Sequence, residues 1–136
     1  MCSSDLGLEV AAFGYPQGDA LGEDLKFTKG AISSLPNPAL ENMILLDLRI
    51  NPGNSGGPLC DVQGNVIGMI TAKIGGGVAL DSYGMAIPAE ELDKFLTEVL
   101  PAEAKRGESR PAKATSTWAE VDTAISPAVL MIVKLR

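Results

Sequence analysis

Short apolar stretches separated by glycine- and proline-containing turns fill the first two thirds of the chain. Six of these stretches predict β-strands, at residues 8–13, 26–35, 43–50, 58–62, 66–74 and 82–87. Turn residues such as Gly14, Pro36 and Gly64 separate them, and no helical apolar period comes between them. Closely spaced strands without intervening helices are typical of an all-β barrel and not of an α/β fold.

The apolar period becomes helical after the last strand. Pro88 and the two glutamates that follow Ala89 are typical of the first turn of a helix. One apolar stripe then recurs at helical spacing, at Leu92, Phe95, Leu96, Val99 and Leu100. We expect a surface helix that packs this stripe on the barrel and ends at Pro101.

The remainder of the chain divides into a polar and an apolar part. Residues 101–117 consist mainly of Pro, Ala, Lys, Arg, Ser and Thr, so they predict a linker. Residues 118–136 are apolar again, and 128–133 predict a strand. We expect an ordered unit at 1–100, a linker at 101–117, and the truncated start of a further domain at 118–136. An orphan tail of an unrelated domain is the alternative for that last part.

Composition and charge narrow the possible partners. The chain has 136 residues, 46% apolar, with a formal net charge of −6, which disfavours nucleic acid and anionic membranes. No apolar run has the length of a membrane span, and residues 1–6 do not form a signal peptide. Cys2 and Cys60 do not make a disulfide framework, and Cys60 is expected to be a buried free thiol. No cofactor and no metal site are predicted.

The candidate chemistry lies in residues 51–58, with the sequence Asn-Pro-Gly-Asn-Ser-Gly-Gly-Pro. Three glycines allow a tight turn whose N–H groups point inward. The N–H groups of Gly53 and Ser55 could then stabilise an oxyanion beside the Ser55 hydroxyl, which would act as a nucleophile. The alternative is a glycine-rich loop that only connects two strands.

Residues 53–59 resemble the active-serine segment of the trypsin-like serine peptidases. The stretch 46–52 in front of it, and the stretches 10–18, 27–35, 64–69 and 83–88, resemble the Deg-type (HtrA-like) branch in the same order along the chain. The resemblance implies the second of two Greek-key barrels, with residues 1–100 as that barrel and its closing helix. It also implies a serine endopeptidase with a polypeptide substrate.

In this family His and Asp precede the serine, on the first barrel, and the chain contains no His. We therefore expect the first barrel of the same domain to be a missing partner and this chain to be inactive alone. The true N-terminus is then expected upstream, and an upstream signal would make the protein periplasmic or extracellular. Residues 125–129 resemble, more weakly, the opening strand of another peptidase-type unit.

The resemblance also assigns a substrate site. It places Arg49, Ile50 and Asn51 at the specificity pocket, and Thr71, Ala72 and Lys73 on the strand edge along which a peptide would lie. Asp47 is interpreted as a structural residue that bonds backbone N–H groups, and not as the triad acid. Two other hypotheses remain open: a pseudo-peptidase that binds peptide without cleaving it, and a structural β-module.

Overall fold

The fold is a closed antiparallel barrel, as seen in a computed structural model that describes residues 6–15, 24–50, 53–73, 83–101 and 117–129. Its strands pair in the order β1-β2-β3-β6-β5-β4, and β4 closes the barrel on β1. The strands are β1 (Glu9–Gly14), β2 (Lys26–Ser34), β3 (Ile44–Asp47), β4 (Pro58–Asp61), β5 (Val66–Lys73) and β6 (Tyr83–Pro88). Each coincides with one of the predicted stretches, and only β1 and β6 extend beyond theirs, by one residue, so the predicted all-β barrel is confirmed.

The barrel interior is filled by the alternate side chains of the strands. Along β3, for example, Ile44 and Leu46 are fully buried and Asp47 is exposed, as expected for strands with one buried face. The main core consists of Val10, Ala12, Ile32, Ile44, Leu46, Leu48, Ile50, Leu59, Ile67, Ile70 and Ala86. Because these positions come from all six strands, the core holds every strand to the others.

The turn between β4 and β5 is organised by Asp61. Its Oδ1 accepts from the N–H groups of Gln63 and Asn65 at 3.0 and 2.9 Å, and its Oδ2 accepts from Asn65 Nδ2 at 3.0 Å. Gly64 takes a φ of +82°, which an L side chain rarely adopts. Gly64 is thus a turn residue between two strands, as the sequence predicted.

The predicted helix is present, but the predicted burial of its stripe is wrong. α1 (Ala89–Val99) follows β6 directly, with Pro88 as its N-cap, and contacts β5 and β6. Only Leu92 of the stripe is half-buried, whereas Phe95 is 59% and Val99 55% exposed. Exposure rises after the first turn because the helix starts at the strand end with no loop that could fold it back along the barrel.

A second helix was not predicted. α2 (Trp118–Ile125) begins at Thr117 with a capping box in which Thr117 and Glu120 exchange hydrogen bonds, and a 3₁₀ turn covers Ser126–Ala128. The Thr-x-x-Glu spacing was a readable signal for this start. Ala128 lies in the 3₁₀ turn and not in the predicted strand, whose residues 130–133 lie outside the described part, as do linker residues 102–116.

α2 packs on the outer wall of the barrel. Val121 is 2% exposed and forms a second apolar cluster with Ala11, Phe13 and Cys60. Burial, together with the nearby charge of Asp61, raises the pKa of the Cys60 thiol to about 12. Within the described part Cys60 is a free, buried cysteine, as the sequence predicted.

The first residue of α2 is also anchored. The Trp118 indole N–H donates to the Glu9 carboxylate, and this hydrogen bond lowers the pKa of Glu9 from its usual value. The Trp118 ring lies 5.9 Å from the ring of Phe27, which in turn lies 5.6 Å from Phe13. α2 is thus held by apolar burial, ring packing and a polar anchor.

Candidate active site

The glycine-rich loop lies at one end of the barrel. β3 pairs with β2 and β6, whereas β4 pairs with β1 and β5. The connection from β3 to β4 therefore has to cross a barrel end, and it carries Ser55. Residues 53–57 of this connection are called the serine loop below; Asn51 lies outside the described residues.

Backbone hydrogen bonds hold the serine loop to two strands. Gly56 N–H donates to the Ile70 carbonyl at 2.7 Å, and Ile70 N–H donates to the Gly57 carbonyl at 2.9 Å. On the other side, Tyr15 N–H donates to the Gly53 carbonyl at 3.2 Å. The loop is therefore fixed by β5 and by the residue after β1, and its shape does not depend on its own sequence alone.

Close backbone contacts reinforce these bonds. A Cβ on Gly14 would lie 2.7 Å from Asn54 Oδ1 and 2.8 Å from the Gly53 carbonyl oxygen, so a side chain there would displace the loop. A Cβ on Gly57 would overlap the Phe13 carbonyl oxygen. Asn54 itself is 2% exposed beneath the loop. These positions need glycine because two backbone segments touch there.

Ser55 is exposed at the turn, and two backbone N–H groups of the same loop have no acceptor among the described residues. Gly53 has a φ of +102° and Gly56 a φ of +84°, which turn the chain sharply on both sides of the serine. Among the described residues, the N–H groups of Gly53 and Ser55 donate to no acceptor. An exposed hydroxyl next to unused N–H groups in a fixed loop is the arrangement that acyl transfer requires.

The residues assigned to the specificity pocket have different environments. Arg49 is exposed, whereas Ile50 is 7% exposed within the main core. The Ile50 side chain lies against the backbone of Gly84 on β6, at a point where an added Cβ would overlap it. Asp47 is exposed and, among the described residues, makes no side-chain hydrogen bond, so the structure gives no support for its interpreted structural role.

The predicted peptide edge is open in the described part of the chain. β4 pairs with β5 only from Val66 to Met69, and the next residue, Ile70, bonds to the serine loop. Thr71, Ala72 and Lys73 continue β5 beyond that point; Ala72 and Lys73 pair with β6 on the opposite side. Their other side has no strand partner among the described residues, and it adjoins the serine loop.

An apolar cavity of about 690 Å³ lies beside Ser55. The serine loop forms one wall, and Val66 and Met69 of β5 and Leu92 of α1 form others. Ile125 and Val129 complete it from the C-terminal segment. Val66 is 46% exposed, which is high for a valine on a barrel strand and indicates a surface that another group could cover.

Among the described residues, the site has no candidate for a general base. The chain contains no His, and the exposed Asp47 has no orienting partner among the described residues. Within the same residues, no three His, Cys, Asp or Glu side chains gather as a metal site would require. The described residues therefore offer an exposed serine and two N–H groups without acceptors among them, but no side chain placed to accept the serine proton.

Residues 3–69 match the family model described as trypsin-like peptidase domain. The chain is 34% identical over 104 residues to the serine protease Do-like HtrB of Bacillus subtilis. The aligned stretch covers 69% of this chain and 22% of that protein. It belongs to the trypsin-like serine peptidases of the Deg (HtrA) type. The resemblance seen in the sequence is thus confirmed.

Other Deg-type proteins are similar to this chain to the same degree. A probable periplasmic serine endoprotease, DegP-like, of Chlamydia pneumoniae is 34% identical over 98 residues, which are 68% of this chain and 20% of that protein. The solved structure of the HtrA-type protease AlgW with a decapeptide superposes with a TM-score of 0.58 at 33% identity, over 68% of this chain and 29% of that one. The chain therefore spans about a fifth of the length of these curated Deg-type relatives.

Among the described residues, no helix of this Deg-type chain is long and apolar enough to cross a membrane.

Proposed function

We propose that this chain supplies the nucleophile and the oxyanion site of a Deg-type serine endopeptidase. Ser55 would attack the scissile carbonyl, and the N–H groups of Gly53 and Ser55 would stabilise the oxyanion that forms. The observation that carries this proposal is an exposed Ser55 in a loop bonded to β5 and Tyr15, where the N–H groups of Gly53 and Ser55 have no acceptor among the described residues. Ground-state carbonyl binding alone would not need such a fixed loop.

The base and its orienting acid are proposed to come from the first barrel of the same domain. The chain has no His to take the Ser55 proton, so by itself it should turn over substrate extremely slowly. The apolar cavity beside Ser55 is where we place the complementary barrel, since packing there would cover Val66 and bring a base next to the hydroxyl.

The substrate is proposed to be an extended polypeptide. Its backbone would pair with the open edge at Thr71, Ala72 and Lys73, which leads directly to the serine loop. Arg49, Ile50 and Asn51 would line the pocket for the side chain before the cut. Ile50, which is buried against Gly84, would limit the depth of that pocket toward the barrel core.

Export from the cytoplasm is proposed by analogy. The Chlamydia pneumoniae relative is named as a periplasmic endoprotease, and the AlgW structure contains a bound decapeptide.

A chimera tests the proposed function. Residues 7–136, which include α2, would replace the matching stretch of the Bacillus subtilis HtrB protease and the part that follows it, and the remaining N-terminal part of HtrB would supply the base. We expect labelling of Ser55 by a fluorophosphonate probe and hydrolysis of an unfolded protein substrate. Ser55→Ala should abolish both, with a loss of several orders of magnitude, and Ser33→Ala, at an exposed β2 position, should change neither.

The outcomes separate the open hypotheses. A folded chimera that binds peptide but is neither labelled nor active would favour the pseudo-peptidase, and one that does not bind peptide at all would favour the structural module. Equal activity of Ser55→Ala and the parent chimera would refute the assignment of the nucleophile.

A further inference from the structure

Tyr15 connects the serine loop to the C-terminal segment. Its backbone N–H donates to the Gly53 carbonyl at 3.2 Å. Its side-chain hydroxyl donates to the Val129 carbonyl at 3.1 Å, a bond between residues 114 positions apart. One residue therefore contacts both the oxyanion-site candidate Gly53 and the end of the segment that contains α2.

The segment Trp118–Val129, called the docked segment below, is held on the barrel wall that leads to Tyr15. Val121 is 2% exposed against Phe13, which lies on β1 two residues before Tyr15. Trp118 anchors the other end through Glu9. The docked segment thus contacts β1 at Glu9 and Phe13. Loss of the segment would remove both contacts and, with them, the restraint on the end of β1 next to Tyr15.

The strand end can transmit this contact because no free space separates it from the serine loop. Gly14 is packed so closely on Asn54 and the Gly53 carbonyl that a Cβ would not fit. Gly53, at a φ of +102°, has the freedom of a glycine to rotate its peptide planes. A shift of Tyr15 would therefore reorient the Gly53 peptide and with it the direction of the neighbouring N–H groups.

We propose that Tyr15 is a positioning residue that couples the docked segment to the oxyanion site. With the segment in place, the bonds from Tyr15 to Val129 and Gly53 hold the serine loop in its competent shape. When the segment leaves, the loop loses that restraint. The inference rests on the proposed role of the Gly53 and Ser55 N–H groups, and it makes residues 118–129 part of the site.

The test uses the whole chain and does not require catalysis. In a Cys2→Ser background, the rate at which Cys60 reacts with a thiol reagent reports undocking, because Val121 covers that thiol. Amide chemical shifts and hydrogen exchange of Gly53, Ser55 and Gly56, measured by NMR, report the loop. Fluorescence of Trp118, the one tryptophan of the chain, gives a second measure of docking.

Three variants separate the steps. Val121→Asp should undock the segment and raise the Cys60 reaction rate by at least about tenfold. The reason is that burial of a valine side chain favours the docked state by more than a factor of about ten in the docking equilibrium constant. Ala119→Asp, an exposed position on the same helix, is the matched control and should change nothing. Tyr15→Phe removes only the hydroxyl, so Cys60 should stay protected.

The expected result is that the Gly53 and Ser55 amides shift in both Val121→Asp and Tyr15→Phe, with faster exchange, and not in Ala119→Asp. Exposure of Cys60 in Val121→Asp with unchanged loop amides would overturn the coupling. Unchanged amides in Tyr15→Phe alone would overturn the assignment to Tyr15. Protection of Cys60 in Val121→Asp would show that Val121 does not hold the segment, which also refutes the proposal.

If Val121→Asp prevents folding, Tyr15→Phe still decides, because it leaves the apolar contacts of the docked segment intact. Failure of the chimera in the previous section with these shifts present would refute the proposed function and leave the coupling standing. Activity of the chimera without these amide shifts would support the proposed function and refute the coupling.

Discussion

Replacement of Gly57 by alanine should destabilise the barrel far more than the same change at its neighbour Gly56. The added Cβ at Gly57 would overlap the Phe13 carbonyl oxygen and lie 3.0 Å from the Asn54 carbonyl oxygen. At Gly56 the Cβ would meet nothing within 4 Å, and only the φ of +84° opposes it. The two variants therefore compare a backbone clash with conformational strain at adjacent positions.

The magnitudes follow from these two environments. Normal contact between heavy atoms is about 3.5 Å, so β1 and the start of β4 would have to separate by on the order of 1 Å. Overpacking costs about 1–3 kcal/mol, and loss of a ladder hydrogen bond adds about 1 kcal/mol. We expect about 3–4 kcal/mol for Gly57→Ala, the upper part of the sum of about 2–4 kcal/mol, because the overlapped atom belongs to the backbone. For Gly56→Ala we expect about 1–2 kcal/mol from left-handed strain.

Urea unfolding of the full chain, followed by circular dichroism, measures this difference. A gap of about 2 kcal/mol corresponds to a melting temperature lower by roughly 8–16 °C for a domain of this size. Equal losses for Gly57→Ala and Gly56→Ala would refute the reasoning, because they would show that the serine loop is not pressed against β1.

Three further predictions concern burial and charge. Burial raises the pKa of the folded Cys60 thiol to about 12, whereas the unfolded thiol ionises near pH 9. The free energy of unfolding should therefore fall by up to about 1.4 kcal/mol per pH unit between pH 9 and 12. Measured by urea unfolding, the fall from pH 8 to pH 10.5 should be about 2 kcal/mol larger than in Cys60→Ala. Asp61→Ala removes three hydrogen bonds to a carboxylate and should cost about 3 kcal/mol, whereas Asp47→Ala should cost less than about 0.5 kcal/mol in the same assay. Phe95→Glu should change stability by less than about 0.5 kcal/mol, because the ring is 59% exposed; a loss of several kcal/mol would mean that the stripe packs on the barrel after all.

The strands could be predicted because alternation and turn residues are local signals. Gly64 marked the β4–β5 hairpin, and its φ of +82° gives the physical reason. The stripe of α1 was predicted with equal ease, but its burial was not, since periodicity states which side of a helix is apolar and not what covers it. That Phe95 is exposed depends on where β6 ends, which is a tertiary fact.

The site could be predicted only in part for a similar reason. Ser55 and its glycines are contiguous, so a local pattern and a family resemblance both identified them. Tyr15 and Val129, in contrast, are separated by 114 positions and meet only because α2 packs on β1. The capping box at Thr117 could have predicted α2, but no local signal gives the wall on which it packs.

The proposed function divides the catalytic task between two sources. Contacts within this chain, through Ile70, Gly14 and Tyr15, hold the serine loop, so we expect the proposed oxyanion site to form without contacts from the first barrel. Proton transfer cannot, because no His is present. Preorganised oxyanion donors and a general base make separable contributions to the rate. Variants at Gly14 or Tyr15 should therefore reduce transition-state stabilisation in the assembled enzyme without altering the pKa of its base, and a pH–rate profile that falls in height but keeps its midpoints would show this division directly.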